Sequence, residues 1–390
     1  MMTQINFTLN FDQLKEEVMQ SSLNDVIKSS IVVVLNKYME EERNQFMNNA
    51  SYERDGERSD YRNGYYDRDL VLNIGRIPLK VPRTRSGEFS TQAFEKYSRS
   101  DQAFLLSMVE MVVNGVSTRK VSKVVEQLCG EKVSKSMVSD LTKELDPIIK
   151  EWSERPLSTD YYRYVYVDAT YIKVREFHKV VSKAVYIALG VNSNDEREII
   201  GFKVSGVESK ANWSDFFESL ISRGLHAPKL IISDAHEGLK SAVQEKFLGS
   251  SWQRCTVHFI KNITDAMPKK DSAEARHHLK EIFKAQSIDI SRMLKEEFIT
   301  KFGDDKKYQK AINVLDEGYE DAVQFYTEPP VTHRHIRSTN VLERINGEVK
   351  RRVRVIRIFP NPESAFRLVG AVLKDYDASV DSGGRKYFYR

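Results

Sequence analysis

Apolar residues recur every three or four positions through residues 11–47, which predicts a long amphipathic helix. Its stripe includes Ile31, Val34, Leu35 and Tyr38. Such an apolar stripe has to be buried against other apolar residues. It either packs on the chain's own core or forms an interface between two copies of the chain.

The pattern changes in residues 51–100, which are rich in glycine, arginine and aromatic residues. Alternation in the stretches LVLNI and IPLKV predicts a short β-hairpin among loops, with turns at Asn63-Gly64 and Ile74-Gly75. Arginine and tyrosine at this density suit contact with phosphate and stacking on bases. A solvated basic loop is the alternative interpretation.

Helical spacing returns in residues 101–150 as three short helices. Ser117 or Thr118 is the expected N-cap of the second helix, and Ser134 that of the third, which Asp146-Pro147 is expected to end. Two short helices joined by a glycine turn are typical of helix-turn-helix proteins, whose second helix enters the major groove. A trihelical bundle without a DNA role remains open. The side chains predicted to face DNA are Arg119, Lys120, Lys135, Ser136 and Ser139.

After residue 160 the period becomes two. Residues 162–174, 180–192 and 197–206 are predicted to form consecutive antiparallel strands. A helix, a buried strand at 228–234, another helix and a strand at 252–258 follow. This order is that of the ribonuclease-H-like (RNase-H-like) fold, an α/β fold with a mixed sheet.

Residues 265–332 are almost wholly helical and charged, which predicts a helical insertion that ends at Pro329-Pro330. The core then resumes with a basic helix. The first half of the chain is predicted to hold a helical N-terminal segment that dimerises or binds DNA (1–50), a basic hairpin linker (51–100) and a helix-turn-helix domain (101–150). The second half is predicted to hold the two parts of an RNase-H-like core (160–264 and 333–370) around the insertion (265–332), and a C-terminal tail (371–390).

Composition sets bounds on these interpretations. A chain of 390 residues with 41% hydrophobic and 30% charged residues is typical of a globular protein with two or three domains. No stretch resembles a membrane span or a secretory leader, so we expect a cytosolic protein. Two cysteines, Cys129 and Cys255, make no disulfide framework in that setting.

Positive charge is concentrated near the C-terminus. Residues 334–357 contain eight basic and two acidic residues, an excess larger than the +4 of the whole chain. Such a focus favours a polyanionic partner. The side chains of the basic helix predicted to hold the DNA backbone are Arg344, Lys350, Arg351 and Arg352.

Three acids are candidates for chemistry. Asp168 falls in the middle of a strand, where aspartate is depleted and costly to bury. Asp234 closes an apolar strand, and Glu343 lies within the basic helix. A helix cap for Asp234 and an i,i+4 partner for Glu343 are the plainer interpretations.

Convergent carboxylates repel one another unless cations lie between them. We expect two Mg²⁺ ions, with Mn²⁺ as a substitute, because a pair about 4 Å apart activates a water or a 3′-hydroxyl and stabilises the leaving oxygen of a phosphodiester. Cys255 and His258 could be half of a metal site, but two cysteines cannot build a Cys-rich zinc site. We expect a buried strand position for Cys255, and for His258 a contact with phosphate or a reacting group.

Several blocks resemble the bacterial Mutator-type insertion-sequence transposases. They are VYVDATYIKVR, LIISDAHEGLKSAV, WQRCTVHFIKNI and RSTNVLERINGEVKRRVRVIRIFPN. The resemblance implies a DDE transposase, with Asp168, Asp234 and Glu343 as the catalytic and metal-binding triad. Cys255 and His258 match the family's C-x₂-H signature as auxiliary active-site residues, and Glu348 is the nearby alternative for the last acid.

The resemblance also implies a reaction and partners. Water would release a 3′-OH at the element's end, and that 3′-OH would attack another phosphodiester, with circular intermediates typical. The partners would be double-stranded DNA, at the element's ends and at the target, and a second copy of the chain. The alternatives are a non-catalytic, domesticated DNA-binding regulator and a metal-dependent nuclease that does not join DNA.

Overall fold

A computed structural model describes residues 23–48, 60–72, 75–94, 106–129, 134–157, 161–270, 272–383 and 387–388. The chain divides into two compact units, residues 1–112 with 116–142 and residues 113–115 with 143–390. No helix among the described residues is long and apolar enough to cross a membrane. The part of the first predicted helix at residues 11–22 lies outside the described residues.

In the first unit, helix α1 (Leu23–Met47) packs on a hairpin of β1 (Arg62–Leu72) and β2 (Gly75–Thr84). Leu35 and Met39 of α1 are buried with apolar residues of the hairpin. The predicted stripe therefore finds cover within its own unit. The predicted turn at Asn63-Gly64 is wrong: these residues lie inside β1, at a shift of register where Gly64 has φ of +66°.

The same unit holds helical residues 106–113 and two short helices, α2 (Thr118–Cys129) and α3 (Lys135–Thr142). The helices pack through Met108, Val121, Val125 and Val138. Ser117 and Ser134 accept hydrogen bonds from backbone amides three residues on, at 3.4 and 3.1 Å, which confirms both as N-caps.

In the second unit, helix α4 (Leu145–Glu154) begins where the sequence predicted an end. Asp146-Pro147 lies in the first turn of α4, where the missing N–H of proline leaves no hydrogen bond unmade. Arg367 holds this turn through a two-point ion pair with Asp146, at 2.6 and 2.8 Å. Residues 150–154, after this turn, continue the same helix.

A five-stranded mixed sheet forms the core of this unit, in the order β5-β4-β3-β6-β7. The strand β3 pairs antiparallel with β4 and parallel with β6, as the sequence predicts for three antiparallel strands followed by alternating helices and strands. The mixed α/β class is thereby confirmed. The strands are β3 (Tyr162–Glu176), β4 (Lys179–Asn192), β5 (Arg197–Ser205), β6 (Leu230–Ser233) and β7 (Ser251–Arg254).

Helices cover both faces of the sheet. On one face α5 (Lys210–Ser222) and α6 (Glu237–Lys246) bury Trp213, Phe216 and Phe217 in the main core. Each such ring contributes roughly 1.5–3 kcal/mol by leaving water. On the other face lie α12 (Asn340–Ile356) and α13 (Pro362–Gly383).

A helical segment lies between these parts and has a core of its own, which includes Leu279, Phe298 and Leu315. Its helices run from residue 256 to residue 336, whereas the predicted insertion spans 265–332. Its helices are α7 (Thr256–Asp265), α8 (Ala273–Ile282), α9 (Ile288–Phe302), α10 (Gln309–Ala322), a 3₁₀ turn (Gln324–Thr327) and α11 (Pro330–Ile336).

Helix α13 extends well into the segment predicted as a tail. Its buried residues Ala365, Val369 and Leu373 follow helical spacing against the sheet, and Phe366 stacks on Phe202 of β5. The chain therefore continues as core structure to about the end of α13.

Candidate active site

The sheet brings the first two acids to one edge. Strands β3 and β6 are parallel, and Tyr166 pairs with Ile232. Asp168 lies two residues beyond Tyr166, and Asp234 lies two residues beyond Ile232. Because neighbouring strands are about 4.8 Å apart, the two aspartates stand side by side at the carboxyl end of β6.

Helix α12 brings the third acid to the same place. Asn346, one turn after Glu343, donates a hydrogen bond from Nδ2 to Asp168 Oδ2 at 2.7 Å. The other oxygen of Asp168 accepts from its neighbour's amide, Ala169 N, at 2.8 Å. Glu343 itself is exposed on the same side of the helix.

His258 lies between two of the acids. Its Nδ1 is 2.5 Å from Asp234 Oδ1, and its Nε2 is 3.4 Å from Glu343 Oε1. Both His258 Nδ1 and Asp234 Oδ1 are buried. The structure thus joins Asp234 to Glu343 through an imidazole rather than by direct contact.

Cys255 connects the elements that carry these side chains. Its backbone N–H donates to Ser233 O at 2.8 Å, next to Asp234. Its buried thiol accepts from Thr339, from the backbone N at 3.4 Å and from Oγ1 at 3.3 Å. Thr339 is the N-cap position of α12, four residues before Glu343.

The predicted strand position of Cys255 and His258 is wrong in one respect. The strand β7 ends at Arg254, Cys255 occupies the N-cap position of α7, and His258 lies in the first turn of that helix. The strand ends here because β6 offers no partner beyond Ser233, and Cys255 O accepts a helical bond from Phe259 N at 3.0 Å. The predicted burial of Cys255 is confirmed.

The electrostatics of the site are unusual for both central groups. Burial, and after it the negative charge of Asp234, raises the pKa of Asp168 to about 7. The hydrogen bonds of His258 with Asp234 and Cys255 raise the pKa of this imidazole to about 10. At neutral pH, His258 is therefore a cation between two carboxylates.

A compact set of possible metal ligands lies here. Among the described residues, the three side chains whose ligand atoms fall within 4.8 Å of one another are Asp234, Cys255 and His258. Asp168 and Glu343 border this set through Asp234 and His258, respectively.

The basic residues predicted on α12 are placed differently from one another. Arg344, Lys350 and Arg351 are exposed. Arg352 is only 6% exposed, and its guanidinium donates to Val113 O at 3.0 Å and pairs with Glu348. This environment supports a structural role for Arg352, since its donors are already used within the protein.

Glu348, the alternative last acid, is directed away from the site. It pairs with Arg351 and Arg352, and these hydrogen bonds lower the pKa of Glu348. In the other unit, the residues predicted to face DNA on α2 and α3 are all exposed: Arg119, Lys120, Lys135, Ser136 and Ser139.

Sequence reasoning missed Asn346 and Thr339 as parts of the site. The signal for Asn346 was its spacing of three from Glu343, which places both on one helix face. Thr339 had a weaker signal, as a hydroxyl residue just before a helix. Its partner Cys255 is 84 positions away, so the contact itself had no sequence signature.

Comparisons with known proteins agree over the whole chain. Residues 2–382 match a family model described as "Transposase, Mutator family". The transposase for insertion sequence element IS256 in transposon Tn4001 of Staphylococcus aureus is 47% identical over 386 residues, which cover 99% of each chain. The transposase for element ISRM5 of Rhizobium meliloti is 38% identical over 89% of this chain and 87% of that protein. The transposase for element IS1081 of Mycobacterium tuberculosis is 33% identical over 97% and 91%.

Proposed function

The chain belongs to the Mutator family of transposases, and from that premise we propose that it is a DDE-type polynucleotidyl transferase with an RNase-H-like core. It binds the terminal inverted repeats of an insertion sequence, cleaves DNA there with divalent metal, and joins the released 3′-OH to another phosphodiester. A circular intermediate and a homodimer that holds two ends are part of the proposal.

One observation carries this proposal: acids from three separate elements lie in one site, and two of them contact the same histidine. Asp168 comes from β3, Asp234 from the end of β6, and Glu343 from α12, and hydrogen bonds or ion pairs connect each to a neighbour in the site. Helix caps or surface ion pairs would not need this convergence.

The residues fit a hard cation. Asp168 has its pKa raised to about 7 next to Asp234, and Asp234 Oδ1 is a buried carboxylate oxygen. Such a site has an excess of negative charge that a divalent ion would relieve. Asp168, Asp234 and Glu343 would hold Mg²⁺ or Mn²⁺, and when bound the ions would activate the attacking oxygen and stabilise the leaving one.

The thiol fits this cation less well. Cys255 is buried and already accepts two hydrogen bonds from Thr339. Thiolate is a soft ligand, which suits zinc rather than magnesium. We assign to Cys255 the positioning of Asp234 and of the N-terminus of α12.

His258 holds a proton between Asp234 and Glu343. With a pKa of about 10, the imidazolium offsets the repulsion of these carboxylates before DNA arrives. It would also offer a positive charge to the reacting phosphate, and it keeps both acids oriented toward one point.

The DNA contacts of the proposal come from two regions. Arg344, Lys350 and Arg351 lie exposed on the helix that carries Glu343, so the phosphate backbone would be held beside the reacting bond. The exposed residues at the start of α3, with the serine cap before it, suit a recognition helix of the helix-turn-helix type.

The test uses a supercoiled plasmid that carries both element ends, incubated with the full chain and Mg²⁺. We expect strand cleavage and joined products with the wild type, and neither with Asp168→Asn, which should still bind the ends. Asp215→Asn, a change of an exposed acid on α5, is the matched control and should react normally. Cleavage without joined products would indicate a nuclease, and binding without cleavage by the wild type would indicate a regulator.

A further inference from the structure

Two strands of the core sheet extend beyond it as an arm, residues 171–183. The strand β5 pairs with β4 only as far as Ala184, and β6 pairs with β3 only as far as Tyr166. Beyond these positions β3 and β4 continue to pair with each other to the turn between Glu176 and Lys179. The eight residues that follow Asp168, as far as Glu176, span about 26 Å.

The arm starts from the candidate active site. Asp168 is on β3 just before it, and the arm extends past the sheet edge where Asp234 stands. The segment after α12 lies along its free edge: Arg175 N donates to Phe359 O at 2.8 Å, and Phe359 N donates to Lys173 O at 2.9 Å. Exposed Arg357 therefore adjoins the arm.

The two faces of the arm differ in exposure. Ile172 and Val174 are buried, whereas the alternate residues Tyr171, Lys173 and Arg175 are exposed. Alternation along a strand places the exposed three on one face. On that face the hydroxyl of Tyr171 donates to Glu208 Oε2 at 3.4 Å, whereas Lys173 and Arg175 are exposed to solvent.

The tip presents a large apolar ring to solvent. Phe177 is 91% exposed, and its φ is +47°, while the next residue, His178, has φ of +63°. Two positive φ values in a two-residue hairpin turn usually call for Asn or Gly. Phenylalanine at this position destabilises the protein on its own, so a binding partner that contacts the ring would explain why it is there.

Charge identifies the class of occupant. Lys173, Arg175 and Lys179 are exposed on the arm, whereas its acid, Glu176, is paired with Lys183 at 2.8 Å. These cations have no ion-pair partner among the described residues, and a cationic surface around an aromatic tip is complementary to a polyanion with apolar groups between its charges. Duplex DNA has this chemistry, with phosphates along the backbone and sugars and base faces in the grooves.

We infer that the arm is a second DNA-binding element, which grips duplex DNA just beyond the reacting phosphodiester. Lys173 and Arg175 contact backbone phosphates, and Phe177 enters a groove against sugar or base. The inference rests on the proposed function, because the DNA it holds is the DNA processed at the adjacent acids.

The first test is the salt dependence of binding, measured by fluorescence anisotropy with a labelled duplex of mixed sequence. The double variant Lys173→Glu, Arg175→Glu is compared with Lys269→Glu, Lys270→Glu, which makes the same change of charge at exposed positions between α7 and α8. The arm variant should lose more than about tenfold in affinity, and the slope of log K against log salt should fall by about 2. The control should keep the wild-type slope.

Equal slopes for the arm variant and the wild type would overturn the inference, and so would equal losses in both variants. These results are separable from failure of the proposed function. If the wild type cleaves and joins DNA but the arm variant binds normally, the arm does not bind DNA, and the proposed transposase function is retained. If the wild type does not cleave although the arm variant loses binding, the proposed function is rejected, and the arm is retained as a DNA-binding element.

The second test places the photo-crosslinker p-benzoylphenylalanine at Phe177. Leu248, which is 82% exposed in the turn before β7 at the opposite edge of the sheet, is the matched control position. We expect an adduct with DNA from position 177 and none from 248. An adduct only with a second copy of the chain, or no DNA adduct at saturating binding, would overturn the inference.

Discussion

Asp168 is the residue whose environment departs most from that of an ordinary surface carboxylate. It accepts from Asn346 and Ala169, yet burial beside Asp234 still raises its pKa to about 7. The two hydrogen bonds stabilise the charged form of Asp168 less than burial and the charge of Asp234 destabilise it. Such a shift is typical of sites where charge is arranged for chemistry.

A consequence for stability follows from this pKa. Because the folded pKa of about 7 exceeds the ordinary aspartate pKa of 3.8, the associated stabilisation is complete below about pH 4 and is lost as pH rises through 7. Asp168→Asn removes this loss, so in metal-free protein the free energy of unfolding should change in favour of the variant between about pH 4 and 7. The gain is of the order of a few kcal/mol.

Urea unfolding in the presence of a chelator, measured at several pH values, checks this prediction. The hydrogen bonds that the new amide gains or loses change the free energy of unfolding by an amount that does not depend on pH. Wild-type and variant curves that run parallel across this range would contradict the assigned pKa.

Cys255 has a role that its residue type alone does not predict. Its thiol is the acceptor for both donors of Thr339, which is fully buried. Cys255→Ala leaves these donors unpaired and should cost about 1–3 kcal/mol of stability. It should also lower cleavage, because Glu343 follows on the next turn of α12.

Cys255→Ser keeps an acceptor at this position and should recover part of both losses. Unfolding free energies and cleavage rates of the two variants give the comparison. If serine proves as inactive as alanine while it restores stability, the thiol acts in the reaction itself and not through Thr339.

At the scale of elements, α12 combines structural and exposed cations on one helix. Arg351 and Arg352 are neighbours in sequence, but the first is exposed and the second buried against Val113 O and Glu348. Helical geometry turns successive residues by about 100°, so a run of basic residues always reaches more than one face. A charge run in a sequence therefore overstates the number of contacts with DNA.

This difference makes a paired prediction. Arg351→Ala should leave stability nearly unchanged and reduce the salt slope of DNA binding by about 1. Arg352→Ala should cost about 1–3 kcal/mol, because it leaves a buried carbonyl unpaired, and should lower binding only through this loss of structure. Titrations at several salt concentrations in which Arg352→Ala lowers the slope and Arg351→Ala does not would contradict the placement of these side chains.

The sheet elements were predictable because their periodicity and order leave few alternatives. Alternation identified β3, β4 and β5, and Asp234 was found at the end of a short apolar strand. The end of β7 was not predictable, since residues 252–258 read as one strand, whereas β7 ends at Arg254 and α7 begins at Thr256.

Proline gave a similar ambiguity at α4. A proline ends a helix that precedes it, but it is also favoured in the first turn of a helix that follows. The contact of Arg367 with Asp146, 221 positions away, favours the second outcome here. Local sequence carries no trace of that partner.

At the scale of the whole chain, the candidate site depends on long-range placement. Glu343 reaches the sheet after a helical segment with a separate core, and Asn346 bridges 178 positions to Asp168. The positions of the three acids in predicted strands and in the basic helix made them candidates, and the resemblance implied the triad, but neither predicted an imidazolium between two of them. Charge compensation by His258 is visible only in three dimensions.

The central claim is that Asp168, Asp234 and Glu343 together hold divalent ions when DNA is bound. The most direct measurement is anomalous diffraction from crystals of the DNA complex grown with Mn²⁺. Our account predicts manganese peaks bonded to carboxylate oxygens of all three residues and to a phosphate oxygen. Manganese bound by Asp234, Cys255 and His258, with Asp168 and Glu343 outside its ligands, would contradict it.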